Sequence, residues 1–346
     1  MTNHPNSPLK GLHETAAAIF RAALQAVDPE HCVRRHLRLS AGKLWVGKDA
    51  FRLDTINKLY LVGVGKAAAA MAHAAETLLG NRIDGGVIIT KYGHGVALNH
   101  CKLLEVGHPV PDSNGLSAAT ALLDLVATAG PADLVLCLIS GGGSSLCPAP
   151  AQGLNLGDKQ ATTRLLLASG ASIHEINTIR KHLSAIKGGQ LCRAGNGARF
   201  VSLILSDVIG DDLDIIASGI TAPDPSTFAD CLAILSRYQL LDQVPGPVCH
   251  HLQAGAKGLV PETPKPADQL FAKVDNHIIG SLGDALTAAA DKARALGFWP
   301  LILTSSLLGE ARETARVLCT IAEEARRSGQ PLPPPACLLV GGERTV

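Results

Sequence analysis

The sequence predicts an α/β protein built on largely parallel sheets flanked by helices, and three observations carry that reading. Apolar runs of strand length recur along the chain, most of them are followed by alanine-rich or amphipathic helical stretches, and glycine-rich turns stand where strand gives way to helix. With 346 residues and 47% hydrophobic content the chain can bury substantial cores, and its length favours two domains.

Apolar residues recur at helical spacing from Leu12 to Asp28, after which a basic, less regular stretch runs to about Asp54. Strand-like runs follow at 59–62, 87–90, 103–106, 134–139 and 200–205, and later at 277–279, 301–303 and 337–340. Between them, 173–191 reads as a helix with Ile176, Ile179, Leu183 and Ile186 in one apolar stripe. The proline-rich segment 244–268 reads as a linker around a short helix, after which a new βα series begins. The last residues, Gly341-Gly342-Glu343-Arg344-Thr345-Val346, enter a loop and stop, which leads us to expect a fragment.

Composition narrows the partners. Charged residues are 18% and the formal net charge is +1, without the basic excess of a nucleic-acid binder, so small ligands are expected. Aromatics are only 3% against 35 glycines, which suits close packing through small side chains. The nine cysteines are odd in number, widely spaced and contain no C-x-x-C pair, and we read them as reduced thiols. The start, MTNHPNSPLK, lacks the apolar core of a signal peptide, and no run approaches a membrane span. A cytoplasmic protein is expected; a homo-oligomer stays open.

Four constellations point to phosphate chemistry. Gly63-Val64-Gly65-Lys66 lies between a strand and a helix, where backbone N–H groups, the helix dipole and the Lys66 ammonium can converge on an anion. It matches the dinucleotide pattern G-x-G-x-x-A but not a Walker A loop. A nicotinamide reading needs an acid at the end of the next strand, where this chain has Thr90-Lys91, so NADP is disfavoured less than NAD. The second constellation, Ser140-Gly141-Gly142-Gly143-Ser144-Ser145, can curl into a nest of N–H groups with hydroxyl donors. The third gathers Asp207, Asp211, Asp212 and Asp214 after a strand, an arrangement that suits Mg²⁺ bridging substrate phosphates, although Asp212 and Asp214 read equally well as solvated or capping residues. The fourth is the polar side of the helix over 173–191, with Asn177, Lys181 and Ser184, and Arg180 and Lys187 beside them. His108, in the turn before Asp112, could hydrogen-bond substrate, with a structural histidine the favoured reading. His250-His251 lacks a second pair of zinc ligands, and no G-x-S-x-G elbow is present.

In order along the chain, VGVGKAAAAMA, VGHPVPDSNG, LISGGGSSLCPAP, EINTIRKHLSAIKGGQL, SDVIGDDLDIIASGITAPDPST and GGERTV resemble the type II glycerate 2-kinases, which also carry the name hydroxypyruvate reductase of tartrate utilisation. The resemblance implies ATP-dependent phosphorylation of D-glycerate at its 2-hydroxyl, with a divalent metal. It also implies a Rossmann-like amino-terminal sheet domain and a second α/β domain of the MOFRL type, here only partly present. The expected boundaries are 1–243 for the first domain, 244–268 for the linker and 269–346 for the second. Lys66 matches the family's active-site lysine, Ser140 to Ser145 its glycine-serine loop, and Asp207 and Asp211 its acidic loop. For such a transfer we expect Lys66 at the transferring phosphoryl group, the 140–145 loop at phosphate or carboxylate oxygens, Asp207 at Mg²⁺ or the 2-hydroxyl, and Asp211 in the metal's outer shell. Arg180 or Lys181 is expected at the glycerate carboxylate, with Asn177 and Glu343 near the site. Ile209 and Ile220 stand where the family commonly has proline, GGERTV replaces GGETTV, and the family's later GGRNQE segment does not occur. Two alternatives accompany this reading: an NAD(P)H-dependent hydroxypyruvate reductase, and a ligand-binding module without turnover.

Overall fold

The computed structural model describes residues 8–343. The chain divides into two compact units, one formed by Met1–Cys32, Ser206–Asp211 and Gly280–Val346, the other by Val33–Leu205 and Asp212–Ile279.

The larger unit is organised by a six-stranded sheet. We number its strands β1 (Leu59–Val64), β2 (Gly85–Lys91), β3 (Lys102–Val106), β4 (Leu134–Ser140), β5 (Arg199–Leu205) and β6 (Val274–Gly280), and their order is β3-β2-β1-β4-β5-β6. Pairing is parallel from β3 through β5. Every residue of β1 and β4 is buried, because both faces of a central parallel strand are covered, and this is why they read as unbroken apolar runs. The strand order reverses between β1 and β4, so the loops leaving their carboxyl ends flank the crevice where doubly wound sheets bind ligands.

Helix Ala68–Leu79 follows β1 and buries Met71 together with Ala68, Ala69, Ala72, Ala74 and Ala75, small side chains that suit close helix–sheet approach. A helical apolar layer forms from Leu166, Ile176, Ile179, Phe228, Leu235, Val248 and Leu252. Two of these lie on helix Gly246–Ala256, which starts with proline in its first turn, a position where the missing N–H costs nothing. The segment 244–268 therefore carries a packed helix of the larger unit rather than a linker. The basic stretch after Asp28 resolves into helix Pro29–His36 and an antiparallel meander of Leu37–Ser40, Lys43–Val46 and Asp49–Arg52, whose four-residue strands are too short to show a period.

In the smaller unit, Ile19 of helix Pro8–Ala26 packs with Ala289 and Ala293 of helix Leu282–Ala295, and Ala23, Phe298, Cys337 and Leu339 join them. Parallel strands Trp299–Thr304 and Ala336–Val340 are connected through helix Ala311–Ser328. The units thus differ from the boundaries expected at 243 and 269: the first helix belongs with the carboxyl-terminal elements, because its apolar stripe finds its partner there. Among the described residues no helix is long and apolar enough to cross a membrane.

One buried carboxylate fixes the approach to β3. Glu76 is 5% exposed and accepts the N–H groups of Asn99, His100 and Cys101 at 2.7, 2.9 and 2.8 Å. Burial pushes its pKa up, but the N–H donors outweigh burial and hold it below the ordinary glutamate value. A carboxyl depressed in the folded state stabilises above its unfolded pKa, and that contribution disappears as pH falls through the folded one. Glu76→Gln is expected to lower unfolding free energy by about 2 kcal/mol at neutral pH. In urea titrations below the ordinary carboxylate range the gap between parent and variant should narrow; a gap that stays constant contradicts the assignment.

Candidate active site

The loops after β1 and β4 interlock. Gly65 has φ +135°, and a Cβ there would lie 2.2 Å from Ser140 Oγ and 2.5 Å from Ser140 O, so only glycine fits. The N–H groups of Gly65, Lys66 and Ala67 donate to Ile89 O, Gly141 O and Ser140 Oγ at 3.1, 2.8 and 3.0 Å. These three donors are therefore engaged within the protein, and the turn presents the Lys66 side chain, not a backbone cradle. The helix starts at Ala68, later than the sequence suggests. Ser140, 2% exposed, braces the two loops. Gly63, which the sequence reading also placed at the phosphate, is buried within β1, where a Cβ would lie 2.9 Å from Ile88 Cδ1.

The donors left for a ligand are in the next loop. Gly142 is left-handed at φ +84°, and among the described residues no protein acceptor takes the N–H groups of Gly142, Gly143 or Ser144. A Cβ at Gly142 would lie 2.9 Å from His108 Nε2 and 3.3 Å from Lys66 Cγ, which places the His108 ring and the Lys66 stem together against this glycine. At Gly143 a Cβ would meet Val64 Cγ1 at 2.8 Å. The hydroxyls shape the loop. Ser145 Oγ donates to Gly142 O at 3.1 Å, and Ser218 Oγ donates to Asn177 Oδ1 at 3.0 Å. With that proton committed, Ser144 Oγ, 2.8 Å away, donates to Ser218. Asn177, 3% exposed, thus acts through Ser218 on Ser144. Ala217, Ser218 and Gly219 are all left-handed, a strained run held by Ser218 O and Gly219 O accepting from Gly188 and Gly189 N–H at 3.0 and 2.7 Å.

A pocket of about 450 Å³ opens beside Ser144 and Ser145, and its lining includes Lys159, Arg180 and Lys187 but no carboxylate. Lys187 Nζ donates to Ser144 O at 2.7 Å, and Lys159 Nζ to Leu183 O at 2.8 Å and Ala149 O at 3.3 Å. Burial pushes Lys159 down to about 7, assisted by the neighbouring Arg180 charge. Burial, then Arg180 and Lys159, push Lys187 well below the usual lysine value. Three neighbouring basic groups without an acid form a site that an anion would stabilise.

Arg180 and Lys181, alternatives in the sequence, part company here. Lys181 is 3% exposed and its Nζ lies 3.0 Å from Asp214 Oδ2 and 3.2 Å from Asp224 Oδ1. Asp224, fully buried, also accepts from Ser226 Oγ at 2.6 Å and Thr263 Oγ1 at 3.0 Å. Lys181 is therefore a structural cation, and Asp214 is its partner; Arg180 lines the pocket.

In the smaller unit Asp207 is exposed and Asp211 half-buried, the latter at φ +57° after Gly210 at φ +86°. Asp211 N–H closes the turn on Val208 O at 3.2 Å, a left-handed conformation that aspartate tolerates and that does not need a proline at Ile209. Among the described residues no three His, Cys, Asp or Glu side chains gather to hold a metal. A magnesium ion needs fewer, since one or two carboxylates suffice when phosphates and waters complete the shell. Glu343 is exposed, and Arg344 to Val346 of the final motif lie outside the described residues.

A family described as a domain of unknown function (DUF4147) matches residues 15–253. The chain is 41% identical over 335 residues to the glycerate 2-kinase of Pyrococcus horikoshii, covering 97% of this chain and 74% of that protein. It belongs to the glycerate 2-kinase family. The crystal structure of glycerate kinase from Thermotoga maritima matches with a TM-score of 0.81 at 39% identity, covering 97% of this chain and 75% of that one. An Agrobacterium vitis protein that bears the provisional name hydroxypyruvate reductase is 46% identical over 328 residues, covering 95% of this chain and 69% of that protein.

Within this glycerate 2-kinase family chain, the sequence reading passed over Lys159, gave His108 a structural role and did not single out Ser218. Lys159 had a visible signal: with Thr162 and Leu166 it falls on one helical stripe, where a lysine is out of place. Ser218 had none, since its backbone conformation is set by contacts distant in sequence. Stability measurements separate the two cations of the 173–182 helix. Lys181→Met leaves Asp224 buried without its cation and should cost about 3–5 kcal/mol. Arg180→Met should cost under about 1 kcal/mol. Comparable losses in chemical denaturation would contradict the division.

Proposed function

We propose that the protein transfers the terminal phosphoryl group of ATP to the 2-hydroxyl of D-glycerate, giving 2-phosphoglycerate and ADP, and that it does so in the cytoplasm, where ATP is supplied. The observation that carries the reading is the convergence of Lys66, His108 and the glycine loop with its available N–H groups on the crevice where the strand order reverses.

Phosphoryl transfer asks the protein for charge compensation and in-line positioning more than for covalent chemistry. The Lys66 ammonium would compensate charge on the transferring group, and the N–H groups of Gly142, Gly143 and Ser144 would cradle phosphate oxygens without reorganising during the reaction. Arg180 offers a planar fork suited to a carboxylate or phosphate. Asp207 and Asp211 would hold Mg²⁺, which when bound neutralises phosphate charge; Asp207 is also the carboxylate we assign to orient the 2-hydroxyl.

A nicotinamide-dependent reductase gains nothing from the same site. The N–H groups of its fingerprint turn are occupied by Ile89, Gly141 and Ser140, and β2 ends in Thr90 and Lys91, with Thr90 Oγ1 donating to Lys66 O at 3.3 Å where a ribose-binding acid would be required.

A coupled assay tests the reaction. ATP consumption should depend on glycerate, and NADH oxidation with hydroxypyruvate should stay at background. Lys66→Ala should lower kcat by about a hundredfold or more with an unchanged melting curve. Near-parent turnover in that variant would remove Lys66 from the chemistry.

A further inference from the structure

We infer that the pocket beside the glycine loop receives the nucleoside half of ATP, and that the acceptor acid binds at Gly142 against Lys66 and His108. This rests on the kinase reading above and assigns the two substrates to separate places within it.

The pocket's size and chemistry argue for the nucleotide. At about 450 Å³ it falls within the roughly 300–1,000 Å³ of small-molecule pockets, and a three-carbon acid would leave most of it empty. Its wall is apolar: Pro109, Val110 and Pro111 on one loop, and Leu156 and Leu167 on helix Leu156–Ala168. Glycerate carries oxygen on every carbon and gains little from such a wall, whereas the faces of a purine lose water favourably against it. Gln160 adds a polar mark. Its Nε2 donates to Pro111 O at 2.8 Å, which fixes the amide orientation and leaves Oε1 as an acceptor for an exocyclic amine.

The basic end of the pocket fits the phosphate chain that a nucleoside would carry. Lys159, Arg180 and Lys187 share the lining with Ser144 and Ser145, so phosphates attached to a base at the apolar wall would meet these basic groups first and the N–H groups of the loop next. Neither Lys66 nor His108 lines this pocket; both meet at Gly142. The loop at 142–145 therefore has a nucleotide flank and an acceptor flank, which is the arrangement in-line transfer requires.

Val110 and Leu167 are 67% and 63% exposed at the apolar wall, so aspartate at either position should leave folding intact, with thermal melts as the check. In Val110→Asp and Leu167→Asp the KM for ATP is expected to rise about tenfold or more while that for glycerate stays within about twofold, and the calorimetric Kd of ADP should rise in parallel. A rise confined to glycerate, or folded variants with both constants unchanged, overturns the assignment. Calorimetry separates its failure from that of the kinase reading. A parent that binds ADP, loses it in the variants and shows no glycerate-dependent turnover keeps the nucleotide pocket and removes the kinase; a parent that turns over while both variants bind ADP normally does the reverse.

Discussion

The close approach of Gly65 to Ser140 is the constraint on which the site depends. With no room for a Cβ at residue 65, the loops leaving β1 and β4 pass within contact distance, Lys66 N–H donating to Gly141 O and Ala67 N–H to the Ser140 hydroxyl. The same glycine spacing that serves a dinucleotide in other folds here serves a clasp between loops. One consequence is a division of labour. The β1 loop spends its N–H groups on structure and contributes a side chain, Lys66, while the β4 loop, held in place by the clasp, keeps N–H groups for a ligand.

Charge is divided by the same logic. Lys181 faces two carboxylates supplied from 214 and 224, and those carboxylates tie helix Ile173–His182 to the segments after β5. Its neighbour Arg180 projects roughly 100° away around the helix axis. It meets Lys159 and Lys187 and no acid. Basic groups paired with acids hold the scaffold, and those without an acid line the cavity. Backbone strain is distributed similarly: the left-handed run at Ala217, Ser218 and Gly219 is over-determined by Gly188, Gly189 and Asn177, and its yield is the placement of Ser144.

This division explains what was legible in the sequence. The central strands were, because a parallel strand covered on both faces writes itself as an apolar run, and 134–139 differs from Leu134–Ser140 by one residue. The glycine loops were equally visible as positions at strand ends. Which N–H groups they leave available was not, since that depends on Ser140 meeting Gly65 across 75 residues of chain. Arg180 and Lys181 could not be separated either, because the acids that claim Lys181 lie more than thirty residues away. The proline-rich stretch misled for a local reason: proline opening helix Gly246–Ala256 has the same signature as proline in a linker, and only the burial of Val248 and Leu252 distinguishes them.

A pocket lined by four basic side chains, Lys159, Arg164, Arg180 and Lys187, and no acid has an electrostatic consequence. Burial disfavours the charged forms of Lys159 and Lys187, the neighbouring Arg180 charge adds to this, and both give up their protons more readily. The buried Asp224 hub, with Lys181, Ser226 and Thr263 satisfying its oxygens, is built on the cation next to Arg180 in the same helix. An incoming polyanion would favour the protonated forms that burial disfavours. The helix between hub and pocket is thus neutralised on one side and left charged on the other, and its two adjacent cations, indistinguishable by composition, acquire opposite purposes from that position.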